Sequence, residues 1–278
     1  MLSHFLPTSV TAFGPLLISG LVAAFLFARY LVFAGGALWL VNANRRSLAS
    51  RQIQPVPFTR AQLKREAAWS ALSAVVFGLV GLSAHLLNRQ FDFLASYATI
   101  ETHGWFWFWC SIPVAILVHD FYFYWAHRLM HAPAVYGRVH KVHHLSTNPS
   151  PLSAFAFHPY EAVMEAVGFV VVLAFVPMHP FAFLIFSTFM IAFNVMGHLG
   201  YELLPRSLVR VPVLRLLNTA TSHNQHHRTF RYNFGLYTLI WDRMFGTLHP
   251  NYISSFRRPA LPAPSIPSTH TPLKDFPE

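Results

Sequence analysis

Residues 127–144 read HRLMHAPAVYGRVHKVHH, which places five histidines within eighteen positions directly behind an apolar, aromatic stretch. His127 and His131 are four residues apart, so on an α-helix their imidazoles lie on one face and can bind the same metal ion. The packing of apolar helices does not require this density of imidazole. The stretch therefore predicts a metal site at the end of a hydrophobic helix.

A second histidine pattern, H-x2-HH, occurs twice in the chain. It is HKVHH at 140–144 and HNQHH at 223–227. In each copy the first and last histidines share a helical face, whereas the two adjacent histidines diverge by about 100°. Adjacent histidines in this pattern can bind neighbouring ions. The spacing therefore favours a centre of two metals.

One more histidine, His198, follows an apolar segment and lies four residues after Asn194. It completes the predicted set of metal ligands: His127, His131, His140, His143, His144, His198, His223, His226 and His227. Six others are predicted to be ordinary interfacial or hydrogen-bonded groups: His4, His85, His103, His179, His249 and His270. His158 is also left outside the predicted ligand set.

The composition indicates an integral membrane protein. The chain has 278 residues, of which 54% are hydrophobic and 11% are charged, against roughly 25% charged residues in soluble domains. The net charge is +10, but Lys and Arg separate long apolar runs instead of covering a polar surface, which argues against a nucleic-acid partner. The single cysteine, Cys110, excludes an internal disulfide and a cysteine-rich metal site built by this chain.

Five segments are candidates for membrane helices by length and apolarity. They are 14–42, 68–88, 105–126, 162–178 and 181–200. The first contains Arg29, which must face protein or reach toward the interface, unless the helix tilts. The last two are predicted to form a tight hairpin that need not cross the membrane fully. If the 44–66 loop is cytoplasmic, eighteen of the twenty Lys and Arg lie on that side.

The predicted fold is all-α: a multi-pass transmembrane bundle of four to five segments, with a cytoplasmic helical cap that holds the dinuclear metal site. Residues 1–104 would form the N-terminal helices and a cytoplasmic loop, 105–250 the histidine-rich domain, and 251–278 a disordered proline-rich tail. Thr59 and Gln62 predict a capping box at the start of the helix that leads into the second membrane segment.

The ligand type narrows the chemistry without identifying the metal, because imidazole binds zinc, iron, copper and nickel. Nine ligands exceed the four of a structural zinc site, and a dinuclear site with open positions can activate dioxygen or water. Its place at the end of apolar helices favours a lipid substrate and oxidation of an alkyl C–H bond. The alternatives are a zinc-dependent hydrolase and a membrane metal transporter, although a transporter usually has acidic groups near the membrane midplane.

Between residues 110 and 250 the chain resembles the fatty acid hydroxylase and sterol desaturase superfamily of integral-membrane di-iron oxygenases. The motifs, in order, are HDFYFYWAHRLMH (119–131), HKVHH, FHPYEA (157–162), GHLGYE (197–202), SHNQHH and NFGLYTLIWDRMFGT (233–247). The resemblance implies that the nine histidines hold two iron ions, which zinc can replace in purified protein. It also implies that dioxygen is used to hydroxylate or desaturate a lipid. Asn194 stands where some members carry another histidine.

No catalytic side chain is predicted beyond the metal ligands. Four residues are expected to support the ligands by hydrogen bonds: His119, Asp120, Asn194 and Glu161. Asp242 and Arg243 are expected to pair and to fix the HNQHH segment. The chain has no CxxCH, cysteine cluster or convincing GxGxxG. The two electrons for dioxygen reduction are therefore expected from a separate protein, and the basic cytoplasmic face is expected to dock an acidic donor.

Overall fold

The computed structural model describes residues 14–54 and 56–257, and across these residues the chain is helical and contains no β-strand. Its ten α-helices are α1 (Gly14–Ala43), α2 (Arg60–Phe91), α3 (Gly104–Met130), α4 (Pro133–Val139), α5 (Lys141–His144), α6 (Pro159–Phe175), α7 (Pro180–Gly197), α8 (Ala220–Thr229), α9 (Ile240–Met244) and α10 (Tyr252–Arg257). The predicted all-α fold is confirmed for this part of the chain.

Four helices among the described residues are long and apolar enough to cross a membrane, namely α1, α2, α3 and α7. They overlap four of the predicted segments: 14–42, 68–88, 105–126 and 181–200. The predicted segment 162–178 corresponds to α6, which has 17 residues and carries Glu161 and Glu165 in its first two turns. The protein is therefore a multi-pass membrane protein, and its described residues contain four candidate spans and one shorter apolar helix.

A short linker joins α6 to α7, but α6 packs against α2 and α3 and α7 packs against α1 and α3. The two helices meet locally, where Phe169 contacts Phe183 and Phe186, and do not form the predicted tight hairpin.

The membrane helices approach closely where small residues face one another. Gly78 of α2 lies against Ser19 and Ala23 of α1, and a Cβ at Gly78 would stand 2.8 Å from the Ser19 carbonyl oxygen. A larger residue there would push the two helices apart. Helix α6 in turn packs between α2 and α3, which completes an apolar core shared by the membrane helices.

The helix starts explain two of the histidines outside the predicted ligand set. His158 and His179 precede Pro159 and Pro180, and each histidine accepts a hydrogen bond from a backbone N–H in the first turn of α6 or α7. A proline suits the first helical position because its missing N–H would have no partner there. These two imidazoles are therefore N-caps and not metal ligands.

The predicted capping box at the start of α2 is half formed. The Thr59 hydroxyl accepts a hydrogen bond from the Gln62 backbone N–H at 3.1 Å. The Gln62 side chain does not return to the cap. It donates to Glu66 at 2.8 Å and to the Asn148 carbonyl oxygen at 2.9 Å. Glu66 is completely buried, so its carboxylate must receive hydrogen bonds from protein groups. The helix end lies near solvent, where water can bind its free N–H groups.

Glu66 joins α2 to the segment that follows the HKVHH motif. Its carboxylate accepts hydrogen bonds from the hydroxyls of Ser146, at 2.7 Å, and Ser150. A little further along this segment, the carbonyl oxygen of Leu152 accepts from the Tyr30 hydroxyl of α1 and the Ser70 hydroxyl of α2. Side chains of the first two membrane helices therefore hold the segment next to the histidine motif in place.

The end of the described chain differs from the predicted tail. In α10, Tyr252 and Phe256 pack with Leu208 and Leu239 in a small apolar cluster. Residues 252–257 are therefore helical and partly buried, which corrects the start of the predicted disordered tail. The remainder of that tail, 258–278, lies outside the described residues.

Replacing Glu66 by Ala should destabilise the protein by about 2–4 kcal/mol, because the hydroxyls of Ser146 and Ser150 lose a buried charged acceptor. Thermal unfolding in detergent measures the effect. The matched control is Glu101→Ala, since Glu101 is exposed and its removal should change stability by less than about 0.5 kcal/mol. Equal unfolding temperatures for the two variants would show that the Glu66 cluster does not hold the fold together.

Candidate metal centre

Helix ends bring the predicted ligands to one end of the bundle. His127 lies in the last turn of α3 and His131 directly after it. His198 follows α7, which ends at Gly197. The other six ligands belong to the two H-x2-HH copies, which form the short helices α5, with His140 just before it, and α8.

The nine histidines form two groups, and within each group one ring nitrogen per residue lies within 4.8 Å of all the others. The five-histidine group consists of His127, His131, His140, His144 and His226. The four-histidine group consists of His143, His198, His223 and His227. Every predicted ligand falls in one of the two groups, and among the described residues no other histidine does.

The two H-x2-HH copies divide between the groups as their helical spacing predicts. His143 belongs to the four-histidine group and its neighbour His144 to the five-histidine group. The adjacent pair of α8 divides in the same way, with His227 in the smaller group and His226 in the larger one. Two short helices therefore connect both groups, which fixes them side by side.

The atoms that converge are Nε2 nitrogens. In the five-histidine group the Nε2 atoms of His127 and His140 are 3.1 Å apart. In the four-histidine group, Nε2 of His198 lies 2.9 Å from that of His223 and 3.3 Å from that of His143. Two nitrogens that bind one ion at about 2.1 Å would be roughly 3.0 to 3.4 Å apart for bond angles of about 90° to 109°. Each group therefore has the spacing of ligands around one ion.

In four of the nine ligands a hydrogen-bond acceptor places the proton on the outer ring nitrogen, Nδ1. His127 donates from Nδ1 to the Phe234 carbonyl oxygen at 2.9 Å, and His140 donates from Nδ1 to Glu161 at 2.7 Å. A neutral imidazole with its proton on Nδ1 has only a lone pair at Nε2. The short contact between these two Nε2 atoms is therefore not a hydrogen bond between neutral rings, and a shared cation would satisfy both lone pairs.

Two more ligands donate from Nδ1 in the same way. His198 donates to the backbone carbonyl oxygen of Asn194 at 2.8 Å, and His226 donates to that of Tyr232 at 2.7 Å. Such partners fix the tautomer and the ring orientation of a metal ligand. The side-chain amide of Asn194 points elsewhere and donates to the Ala154 carbonyl oxygen. Asn194 therefore supports His198 through its backbone.

Burial keeps these histidines neutral. Loss of hydration, with repulsion from His127, lowers the pKa of His131 to about 2, and loss of hydration lowers the pKa of His198 to about 4. Burial first, and then neighbouring imidazoles, hold the pKa well below its ordinary value for His140, His143, His144, His223, His226 and His227. Neutral imidazole is the form that binds metals.

Asp120 does not hold a histidine, contrary to expectation. It accepts hydrogen bonds from the Tyr237 backbone N–H at 2.8 Å, the Thr238 hydroxyl at 2.6 Å and the Trp241 indole N–H at 3.0 Å. It therefore anchors the segment that contains these three residues. His119 lies outside both histidine groups, with its Nδ1 3.0 Å from the Tyr237 hydroxyl. Of the four expected supports, Glu161 and Asn194 contact a predicted ligand directly.

The expected pairing of Asp242 with Arg243 is wrong. Asp242 accepts hydrogen bonds from the backbone N–H groups of Phe234, at 2.8 Å, and Gly235, at 2.9 Å. These N–H groups are buried, and leaving them without an acceptor would cost free energy, whereas the exposed guanidinium of Arg243 can bind water instead. The Phe234 carbonyl oxygen accepts a hydrogen bond from His127. By fixing the backbone at residues 234–235, Asp242 therefore helps to orient the His127 ring.

The backbone acceptors at Tyr232 and Phe234 were not predicted, since a carbonyl oxygen leaves no signature in a sequence. The signal nearest to them is the Asn-Phe-Gly stretch. Asn233 has a positive φ of 61°, and a Cβ on Gly235 would collide with the Thr238 carbonyl oxygen. The turn that presents both carbonyl groups therefore needs asparagine and glycine at these positions.

The metal-free protein should lose stability as the pH falls from about 7.5 to 5. A histidine whose pKa is about 4 in the folded state and 6.5 in the unfolded state gains a proton there only on unfolding. Stability then falls by up to about 1.4 kcal/mol per pH unit for each such histidine. Buried carboxyls oppose this trend, because burial raises the pKa of Asp242 to about 6 and raises the pKa of Glu161 and of Glu202 above the ordinary value, but the buried imidazoles outnumber them.

Thermal unfolding in detergent with a chelator, followed across this pH range, measures the trend. Replacing His223 and His227 together by Gln should flatten it, because two buried imidazoles are lost. The control His85→Gln changes an exposed imidazole and should leave the slope unchanged. An unfolding temperature of the wild type that stays constant from pH 7.5 to 5 would contradict the proposed origin of the trend.

Comparison with known proteins places the histidine domain in a family. Residues 112–247 match the Fatty acid hydroxylase family. The chain is 32% identical over 148 residues to a Delta(7)-sterol 5(6)-desaturase of Schizosaccharomyces pombe, covering 53% of this chain and 47% of the relative. It is 28% identical over 197 residues to lathosterol oxidase of Mus musculus, covering 70% and 64%. No solved structure matches the chain.

The chain spans about half the length of the curated relatives it matches. The matched family segment begins within α3 and contains every member of both histidine groups. The resemblance drawn from the motifs is confirmed: the histidine-rich segment 112–247 belongs to the fatty acid hydroxylase and sterol desaturase superfamily.

Proposed function

We propose that this protein is a membrane oxidoreductase that holds two iron ions on its nine histidines and uses dioxygen and two external electrons to hydroxylate or desaturate a lipid C–H bond. The observation that carries the proposal is the pair of buried all-histidine groups at the end of an apolar helix bundle. The relatives are named as a sterol desaturase and a lathosterol oxidase. Their names support a lipid substrate, either a sterol or an acyl chain.

The donor set fits iron. Imidazole is a good ligand for iron, and the five-histidine group offers one donor more than tetrahedral zinc uses. Zinc remains an expected replacement in purified protein, since the same nitrogens bind it. When bound, the two irons would supply the electron-transfer chemistry by which dioxygen is reduced and a C–H bond is oxidised.

The residues around the ligands keep the site dry. Phe157 lies 5.2 Å from His143, measured between ring centroids, and Phe230 lies 4.7 Å from His144. On the α3 side, Phe234 lies 5.2 Å from His131. Apolar rings of this kind exclude water from the ligands. Glu161 and the backbone carbonyl groups hold the Nε2 atoms of His127, His140, His198 and His226 inward, so the protein orients these four ligands before an ion binds.

Electrons would reach the site from a separate donor protein on the cytoplasmic side. The side is inferred from the Lys and Arg distribution. The exposed side chains of Arg51, Arg206 and Arg228 line a cleft over α8, where Asn224 and Gln225 form part of its surface. Asn224 directly follows His223, and Gln225 directly precedes His226. The position of the positive charge therefore supports docking of an acidic donor close to both groups.

Single substitutions should distinguish the two histidine groups. His143→Ala removes a donor from the four-histidine group and His144→Ala removes one from the five-histidine group, so each variant should retain about one iron per chain where the wild type retains two. Metal analysis and Mössbauer spectroscopy on protein made in iron-rich medium provide the measurement.

The matched control is His158→Ala, which removes an N-cap near the site but no predicted ligand. It should keep both irons and their magnetic coupling. Unchanged iron content in both ligand variants would rule out the ligand assignment. A stoichiometric zinc pair that iron does not replace, with no dioxygen consumption on reduction, would favour a zinc hydrolase or a metal transporter.

The function itself is tested by lipid analysis of cells that express the protein. Cells with the wild type should contain a lipid that has gained one oxygen atom, taken from labelled dioxygen, or lost two hydrogen atoms. The His143→Ala/His144→Ala double variant should lack that lipid, and His158→Ala should still form it at a similar level. Identical lipid profiles in all three strains, with the native electron donor co-expressed and both irons present, would refute the proposal.

A further inference from the structure

A second feature of the bundle lies away from both histidine groups. Helices α1, α2, α6 and α7 enclose a groove of about 480 Å³ in the half of the bundle opposite the histidines. Its walls are almost entirely apolar and include Leu26, Val80, Phe169, Phe183 and Met190. This volume lies within the range of small-molecule sites in proteins.

One cation lies at this groove. Arg29 is the sixteenth of the thirty residues of α1, about 22 Å from either end by the helical rise, which places it in the middle of the membrane span. One of its terminal nitrogens donates to the Ser187 hydroxyl at 3.0 Å, and the guanidinium lies 5.6 Å from the centre of the Phe25 ring. The guanidinium therefore faces protein, which was one of the arrangements expected from the sequence.

Arg29 is not neutralised within the described part of the chain. No Asp or Glu among the described residues lies within ion-pair distance of Arg29, and no acidic side chain lines the groove. The Nε of Arg29 is buried and has no hydrogen-bond partner. An unpaired cation inside a membrane span is costly, and such residues usually mark a ligand or an ion pathway. The hydroxyl and the aromatic ring beside Arg29 do not offset a full charge.

We propose that this groove binds a fatty-acid-type lipid, with its carboxylate at Arg29 and its chain along the apolar walls. A carboxylate has one charge and two coplanar oxygens, which match the edge of a single guanidinium. A phospholipid would instead bring a large hydrated headgroup to the middle of the bundle. In the described groove lining, Arg29 is the lone Lys or Arg, which suits a ligand with one negative charge.

The groove is separate from the predicted metal ligands, so its occupancy depends neither on iron nor on oxidation. From Ser187 to His198 there are eleven residues, about 16 Å along α7 by the helical rise. Phe155 lines the groove and Phe157 contacts His143, so aromatic side chains stand between the two places. Binding can therefore be measured on the purified chain without turnover.

The experiment compares radiolabelled palmitate with radiolabelled hexadecanol, which have the same chain length and differ in charge. Binding is measured to the full chain in phosphatidylcholine nanodiscs at about pH 8. The wild type should bind palmitate about ten-fold or more tightly than hexadecanol, because only the carboxylate neutralises Arg29. Arg29→Gln should remove this preference by weakening palmitate binding alone. The control Arg89→Gln changes an exposed arginine at the end of α2 and should preserve it.

A second variant tests the groove without changing charge. A Cβ on Gly81 meets no atom within 4 Å, so Gly81→Phe can be accommodated and fills the groove. It should reduce the binding of palmitate and hexadecanol together, about ten-fold or more. Equal affinity of the wild type for the two lipids would overturn the proposal. So would palmitate binding that neither Arg29→Gln nor Gly81→Phe changes, since the lipid would then bind elsewhere.

Discussion

The structure depends on nine imidazoles, eight of them buried and one half-buried, whose Nε2 atoms converge in two groups. Separations near 3 Å between such nitrogens are unfavourable unless a cation lies between them. Each ring must also place its proton on the outer nitrogen. The surroundings meet this demand for four of the nine rings: Glu161 and the carbonyl oxygens of Asn194, Tyr232 and Phe234 accept from their outer nitrogens. The polar architecture at this end of the bundle is therefore organised around the imidazoles.

The acidic side chains near the site act mainly by holding backbone. Asp120 and Asp242 together fix the segment after α8, through the N–H groups of Phe234, Gly235 and Tyr237. Glu66 does the same for the segment after α5 through serine hydroxyls. In a site formed by short helices and loops, ligand positions are accurate only if such segments are fixed. Buried carboxylates serve this purpose because each accepts several hydrogen bonds at once.

The apolar bundle and the polar end have different tasks. Four membrane-length helices provide a hydrocarbon environment. The ends of α3 and α7 carry three of the predicted ligands, and the short helices α5 and α8 contribute the other six. A lipid oxidised at the predicted metal centre can thus remain in an apolar phase throughout. Arg29 is a charged residue within this apolar bundle. The proposed binding of a negatively charged lipid in the groove beside it explains why the charge is retained.

Much of this protein is determined by the sequence alone, because local spacing carries the information. Apolar length predicts the membrane helices, and the i,i+4 and adjacent histidines predict both the ligand set and its division between two ions. Three-dimensional folding decided the rest. Asp120 and Asp242 turn to buried N–H groups and not to a histidine or to Arg243, the start of the supposed tail packs as α10, and Arg29 faces a groove formed by helices distant in the chain. Hydrogen-bond partners of this kind depend on which buried groups meet, and sequence spacing contains no record of that.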